Sequence, residues 1–448
     1  MAIGDLQLEL ISKAKKYLQK NLNNNINVHN SGICYFCSFG LFTPGYAKLK
    51  LWSEGFKSIL STYKIFYKDV LSISNLYNYY IVNNPGIDNK YNKIIVSWAK
   101  KDDFLSDGTY FDRYFKINSK DLNNSLWFLI YEDTSLPEKI NNNILIFTKS
   151  TKGLKYNFFY LIKYVIKSLI SSGFSLKKFF HKISWFTAFS FIVCDSIKKF
   201  INADIKTIIM PYEGQPFQNA IFKTSKAINK NIKTIGCVTS FPVGLPTNFI
   251  FRDGSPEELI LNGDDQYYCF KKILNWKNNQ LKILPSTRFT KSSINMSGYI
   301  YLPINLNSTN VIIKSLKNFL LKNKKKSISN FIIRNHPHAK TSKIHLKLIK
   351  QINDLLLKHS NIFSKEDKTN KISIFIGTTA SIIEALERGV EVIHICNDPV
   401  LQSYSSDLWP SIKVSEVDDN TFKYELLKKG DLIKFGDGDK VFEKLYIN

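Results

Sequence analysis

Residues 331–389 constrain the fold more than any other stretch. They open with FIIRNHPHAK and close with ISIFIGTTASIIEALERG. Twice, an apolar run of strand length stops at small, polar or basic residues and a helical pattern follows. Strand-length runs that alternate with amphipathic helices build a parallel sheet with crossover connections. Ligands in such sheets sit beyond the carboxyl ends of the strands, where loops and helix starts offer backbone N–H groups to an anion.

The same rhythm extends in both directions. Ahead of it, strands are predicted at 93–98 (KIIVSW), 125–131 (SLWFLIY), 143–147, 206–210 (KTIIM), 233–238 (KTIGCV) and 257–262 (EELILN), the last being read as the final strand of a first domain. Helices are predicted at 5–20, 47–68 and 217–229, and the aromatic, lysine-dotted stretch 154–200 also reads as helical. A second series starts at 299–303. It continues as helix 308–322, strand 331–334, helix 341–358, strand 372–376, helix 380–388 and strand 391–395. The tail after Ser415 alternates acidic and basic residues and is expected to pack as one or two helices. A chain of 448 residues is too long for one ordinary core. The expected architecture is α/β, of the GT-B type: two Rossmann-like domains whose parallel sheets face a central cleft. The first domain would span 1–284 and the second 298–448, with a linker at 285–297.

Composition narrows the partners. The formal net charge is +25, carried almost wholly by Lys, because Arg occurs only at 113, 252, 288, 334 and 388. Such a surface favours nucleotides, acidic glycans or an anionic membrane face. No RNA-binding aromatic motif or base-reading helix signature accompanies the charge, so nucleic acid is not an expected partner. Of six cysteines only Cys34 and Cys37 form a CxxC, and no second pair completes a zinc set. No apolar run reaches the ~18 residues a membrane span needs. The first twenty residues read as an amphipathic helix rather than a signal peptide. These features point to a cytoplasmic protein, at most peripheral to the inner membrane. The aromatic helices of 154–200 fit either core helices whose lysines face water or a basic–aromatic surface resting on a membrane. The core reading is preferred.

Three motifs carry chemistry. In Arg334-Asn335-His336-Pro337, the proline keeps His336 extended on a loop after a strand. There an imidazole can bond a phosphate oxygen or donate to a leaving group. Arg334 is one of five forks in a lysine-rich chain and suits a phosphate. Nearby His338 and His345 lack the acidic or thiol partners of a metal site. In Gly377-Thr378-Thr379-Ala380-Ser381, glycine allows close approach and two hydroxyls add hydrogen bonds at a helix start. Ser381 and Glu384 fit a capping box, and Glu384 could instead reach a nucleotide ribose. In Tyr212-Glu213-Gly214-Gln215, bracketed by Pro211 and Pro216, a carboxylate stands on a strand-to-helix turn, where it can take a proton from an acceptor hydroxyl. Asp103 and Asp107 compete for that role. A fourth sequence, Asp437-Gly438-Asp439, reads more simply as a turn with Asp439 as helix cap than as a metal-holding pair.

In their order these motifs resemble bacterial sialyltransferases and polysialyltransferases of surface-polysaccharide synthesis. That family carries an acidic-acidic-Gly motif, then His-Pro, then a Ser/Thr pair; here stand Tyr212-Glu213-Gly214, His336-Pro337 and Thr378-Thr379. The resemblance covers these short motifs and the domain layout. It implies Glu213 as general base, flanked on the acceptor side by Tyr212, Gly214 and Gln215. It implies His336 as phosphate ligand and leaving-group stabiliser, with Thr378 and Thr379 on the same phosphate. Arg334, Asn335, Pro337, Gly377, Ser381 and Glu384 would complete the donor side. The implied reaction is metal-independent, inverting transfer of an acidic sugar, sialic-acid-like or Kdo, from a CMP donor to a glycan or glycolipid acceptor of capsule, lipopolysaccharide or O-antigen. No cofactor is implied beyond that donor. Tyr212 departs from the family's first acidic position, which leaves Asp107 as an alternative base. The His-Pro motif also occurs in glycerophosphotransferases that use CDP-linked alcohols, and another nucleotide-sugar enzyme of the GT-B fold, such as an epimerase, is a further alternative. A reading of another class is a non-enzymatic binder of polyanions or membrane surfaces.

Overall fold

The structure is a computed structural model that describes residues 2–23, 78–83, 91–122, 124–149, 158–171, 173–174, 185–292, 294–303, 306, 309–323, 331–336, 342–360 and 371–436. The helix read at 47–68, Cys34 and Cys37, Pro337 and His338, and Asp437 to Asp439 lie outside the described residues.

The larger sheet has eight strands. These are β1 (Tyr79–Val82), β2 (Lys93–Ala99), β5 (Ser125–Tyr131), β6 (Ile144–Lys149), β7 (Thr207–Pro211), β8 (Lys233–Cys237), β9 (Glu258–Leu261) and β10 (Leu281–Ile283). A small hairpin, β3 (Phe111–Asp112) with β4 (Ile117–Asn118), lies between β2 and β5. The spatial order is β1-β6-β5-β2-β7-β8-β9-β10, parallel except for β1. Counting parallel strands along the chain, β6-β5-β2-β7-β8-β9 runs 3-2-1-4-5-6, the order of a doubly wound Rossmann-like sheet. Its direction of winding reverses between β2 and β7. Every residue of β5 is buried, as expected of a strand covered on both faces. Helices Trp185–Ile197 and Pro216–Ile228 cover one face, where Phe189, Val193, Phe217 and Ile221 meet Ile94, Phe128 and Phe147. Among the described residues the other face is covered by Tyr110, Phe115 and Ile117, which lie on Ile95, Trp127 and Ile209.

The second sheet comprises β12 (Tyr299–Tyr301), β13 (Ile332–Arg334), β14 (Ile372–Ile376), β15 (Glu391–Ile395), β16 (Ile412–Asp418) and β17 (Thr421–Leu426). Its order is β13-β12-β14-β15-β17-β16; the first four are parallel, and β17 is antiparallel to both its neighbours, β15 and β16. Here the winding reverses between β12 and β14. Helices Asn310–Lys322 and Lys343–Lys358 bury Ile312, Leu316, Leu348 and Ile352 against Ile300, Ile374 and Ile393. Helix Ser381–Glu387 covers the opposite face through Ile382 and Ile383, beside Phe375.

Three expectations are corrected. As far as Gly436 the tail after Ser415 is not helical: it completes the antiparallel pair β16–β17, and Asn420 at φ 60° makes the tight turn between them. Strand 257–262 is not the last of its sheet, because β10 pairs with β9. The segment 285–297 is not plain linker either. It holds β11 (Ser286–Thr290), which pairs with the chain's late strand β18 (Phe435–Gly436).

Contacts between the two halves are extensive. Gln7, on the N-terminal helix Ile3–Asn23, donates to the carbonyls of Val400 and Ser403, at 2.9 and 2.8 Å. The late chain returns to the first sheet, where Lys434 N donates to Asn262 O at 2.7 Å. The carboxyl-end loops of β8 and β15 also pack together: Tyr404 donates to Pro242 O and Trp409 Nε1 to Gly244 O, at 3.3 and 3.2 Å. Gly244 has no room for a side chain, since a Cβ would run into the Ser403 carbonyl.

Candidate active site

Glu213 stands one residue beyond Tyr212 at the carboxyl end of β7, beside the winding reversal of the first sheet. The turn around it is tightly determined. Gly214 has φ +68°, and a Cβ there would run into the Asn248 carbonyl. Gln218 Oε1 accepts from both Glu213 N and Gln215 N, each at 3.0 Å, while its Nε2 donates to Pro211 O at 2.7 Å. Asn248 Nδ2 donates to Glu213 O at 2.7 Å, and the buried Arg252 guanidinium donates to the carbonyls of Gly214, Asn248 and Ile250. Gln215 Nε2 holds Glu213 Oε2 at 2.8 Å.

Around this carboxylate lie the carboxyl ends of β2 and β5. Burial raises the Glu213 pKa; the Gln215 hydrogen bond and the Arg288 charge pull it down, and Glu132 pushes it up. Tyr114 is also pushed up, first by burial and then by Glu213 and Glu132. Lys100 meets Glu132 at 3.5 Å, and Asp103 is paired with Arg113 at 2.9 Å. Thr287 donates to Tyr114 O at 2.6 Å and so joins the β11 segment to this edge. The result is a half-buried general-base candidate among mixed charges. Sequence reading missed Arg288, Glu132 and Tyr114. The available signal was the scarcity of arginine, since Arg113, Arg252 and Arg288 all converge on this edge.

The other first-half predictions sort plainly. Tyr212 does not face an acceptor: it is 1% exposed and packs among Phe222, Phe249 and Trp276, with its hydroxyl 2.7 Å from the Asn219 amide. Gly214 is likewise buried, and only Gln215 keeps partial access. Asp107 is exposed and accepts from Thr109 N at 2.9 Å, which lowers its pKa. Its neighbour Gly108 accepts from Asn141 N, just ahead of β6. Asp107 therefore lies toward the amino end of β6, away from the edge that carries Glu213. Asp103 is buried and committed to Lys100 N and Arg113.

On the second sheet, Gly377 follows β14 at the other winding reversal. Its φ is +61°, and a Cβ would sit 3.1 Å from Pro303 Cγ, just past β12. Gly377 N donates to Ile395 O at 2.8 Å, and buried His394 donates through Nε2 to Gly377 O at 2.6 Å. Burial holds that imidazole's pKa down to about 4, so it is a neutral strut. Thr378, Thr379 and Ser381 keep partial solvent access. Half-buried Asn335 and His336 follow β13, so His336 and Gly377 flank the end of β12 on its two sides. His345 is buried and bonds Pro303 O at 2.8 Å through Nε2.

Two donor-side expectations change. Arg334 is exposed, and its guanidinium lies 3.8 Å from the Tyr299 ring centre and 5.8 Å from that of Tyr301. It thus leans toward the amino end of β12, away from the Gly377 turn. Glu384 neither caps its helix with Ser381 nor stands open to a ribose. Its Oε1 accepts from Arg388 Nε and NH2 at 3.0 and 2.8 Å, and that guanidinium continues to the carbonyls of Ser292 and Thr290. The pair ties the short helix to the β11 segment.

One loop connects the two turns. Asn248 holds Glu213, and four residues earlier Gly244 abuts Ser403. Beside Ser403, Gln402 accepts from Asn397 N at 2.8 Å, and its Nε2 would lie 3.8 Å from a Cβ at Gly377. The carboxyl edges of both sheets are therefore joined through residues 240–248 and 397–404. Among the described residues no group of three or more His, Cys, Asp or Glu could hold a metal ion. Cys194, Cys237, Cys269 and Cys396 are buried free thiols. No described helix is long and apolar enough to cross a membrane.

No protein-family model and no characterised protein sequence matches the chain. Among solved structures it is similar to the N-terminal domain of Candida albicans trehalose-6-phosphate phosphatase, at 9% identity and a TM-score of 0.33, over 68% of this chain and 82% of that one. So remote a likeness carries no argument about activity.

Proposed function

We propose that the protein is a GT-B glycosyltransferase that moves an acidic sugar from a CMP donor to a surface-glycan acceptor without a metal ion. The observation that carries this reading is the pair of turns at the two winding reversals. One offers a carboxylate whose pKa is raised by burial; the other offers a glycine, two hydroxyls and, across β12, an imidazole. Glu213 takes the proton of the acceptor hydroxyl as that oxygen attacks the anomeric carbon. The bond to the nucleotide phosphate breaks through an oxocarbenium-like state. Thr378 and Thr379, beyond the Gly377 turn, receive the phosphate, and His336 donates to it, so that CMP leaves with its charge balanced. Arg334 and Glu384 have no part in this scheme, being held on other partners.

Thermal shift against CMP, CDP, UDP and GDP tests the donor class. Stabilisation by CMP alone is expected, by ~2.7 kcal/mol at a hundredfold excess over Kd. Stabilisation by CDP with release of CMP from a CDP-linked alcohol would replace the reading with glycerophosphotransfer. No response to any nucleotide would end the enzymatic reading.

A further inference from the structure

We propose that helix Phe158–Ser171 docks on an anionic membrane surface. The helix forms an outer layer of the first half. Its inner side is anchored by Tyr164, 8% exposed, which meets Phe191 of helix Trp185–Ile197 edge-on at 6.4 Å. The outer side should be polar on a water-facing helix, and it is not. Phe159, Ile162, Ile166 and Ile170 are 86, 53, 51 and 61% exposed. Their spacing of three, four and four residues sets them in one narrow stripe directed away from the protein. Exposed Lys163 and Lys167 lie along one flank of that stripe. Beyond the helix, Gly173 and Phe174 both take positive φ, 57° and 56°, and Phe174 is 71% exposed.

Charge selects the occupant. Between Lys139 and Cys194 the sequence has nine lysines and no Asp or Glu, whereas the whole chain has 37 acidic residues, about one in twelve. Codon bias toward lysine does not remove acids, so the one-sided charge belongs to this region. An apolar stripe edged by lysines, in a segment free of carboxylates, is the composition of a helix that lies in the lipid interface. Its apolar side chains enter the acyl boundary and its ammonium groups meet anionic headgroups. A second copy of the chain would bring the same positive field against itself. The inference does not depend on the identity of the donor.

Vesicle co-sedimentation tests it, using the full chain and phosphatidylcholine vesicles with and without phosphatidylglycerol. Wild type is expected to bind the anionic vesicles and to lose binding as salt rises. Lys163→Gln with Lys167→Gln should weaken binding ~25-fold, about five-fold per lysine. Phe159→Gln with Ile166→Gln and Ile170→Gln should weaken it at least as much while leaving the melting temperature unchanged, because all three side chains are exposed. Undiminished binding by this triple variant would overturn the proposal in favour of plain polyanion attraction. So would wild type that ignores vesicles but self-associates in sedimentation velocity, with the triple variant monomeric: the stripe would then be a contact between copies.

Discussion

At Gly214 and at Gly377 the chain leaves a parallel strand through a glycine of positive φ, 68° and 61°, and enters a helix. Both turns sit where their sheet reverses its winding. Beyond that the two differ. The Glu213 turn is fixed by three side chains from two segments: Gln218 below, Asn248 beside and Arg252 behind. The Gly377 turn is fixed mainly through its own backbone, by Ile395 and His394, and its hydroxyls stay accessible. A general base acts only in one orientation, so over-determination serves it. A phosphate cradle built of backbone and hydroxyl donors tolerates looser side chains, because the anion itself organises them.

The largest expected effect follows from that contrast. Glu213→Gln keeps the side-chain shape and the Gln215 contact but cannot accept a proton; kcat should fall by ~10²–10⁴-fold. Stability should move the opposite way. Burial raises the Glu213 pKa, so the fold prefers the neutral carboxyl, and stability is lost as pH rises through the folded-state pKa. The variant has no such loss. Its melting temperature should exceed that of wild type at neutral pH, and the gap should close toward pH ~4, where an ordinary Glu is protonated in both states. Equal pH profiles of melting would place the Glu213 carboxyl in water and dissolve the contrast with Gly377.

Glycine replacement breaks the comparison from the backbone side. Gly214→Ala forces a left-handed residue, costing ~1–2 kcal/mol, and drives a Cβ into the Asn248 carbonyl, so a loss of ~3 kcal/mol or more is expected. At Gly377 the left-handed cost is similar, but the obstacle is Pro303 Cγ at 3.1 Å, which can yield. Gly377→Ala should cost only ~1–2 kcal/mol, while weakening nucleotide binding. Denaturant melts of both variants measure the difference, and equal losses would mean that the two turns are equally rigid.

How far the sequence foretold these turns depends on how each element is stabilised. Strands such as SLWFLIY are buried on both faces, so their apolar runs are continuous and legible. The tail strands IKVSEVD and TFKYEL form the sheet's half-exposed antiparallel end, and their alternating Lys and Glu imitate a salt-bridged helix. The Asp419-Asn420 pair ahead of Thr421 was the turn signal that spoke against that helix. The strand-end turns that carry Glu213, His336 and Gly377 were legible because glycine and proline mark strand ends. Tyr212 read as an acceptor contact because its burial depends on Phe249 and Trp276, far along the chain. Glu132 was invisible for the same reason: it reaches Glu213 through sheet order, which no local pattern records, while Arg288 was marked only by the scarcity of arginine.

Hydroxyl removal sharpens the donor side. Thr378→Ala and Thr379→Ala should each raise the donor KM ~10-fold or more, as expected for one hydrogen bond to a charged group; Thr378→Ala should change the melting temperature little, whereas Thr379→Ala also removes the acceptor of Ser381 N at 3.3 Å. A loss confined to kcat would mean that these hydroxyls act on the departing charge alone.

The smallest effect is the most discriminating, because it reads the field around Glu213 and not its presence. Arg288 lowers the Glu213 pKa and Glu132 raises it. Arg288→Gln should therefore move the acid limb of the kcat/KM profile to higher pH, and Glu132→Gln should move it to lower pH. The plateau above the limb should hold in both variants if these residues act through the base, since the deprotonated carboxylate is then the same species. A fall in the plateau of Arg288→Gln, without a shifted limb, would instead place the guanidinium on the substrate. The acidic sugar's carboxylate would be its natural partner, and the edge of the first sheet would then recognise the donor as well as deprotonate the acceptor.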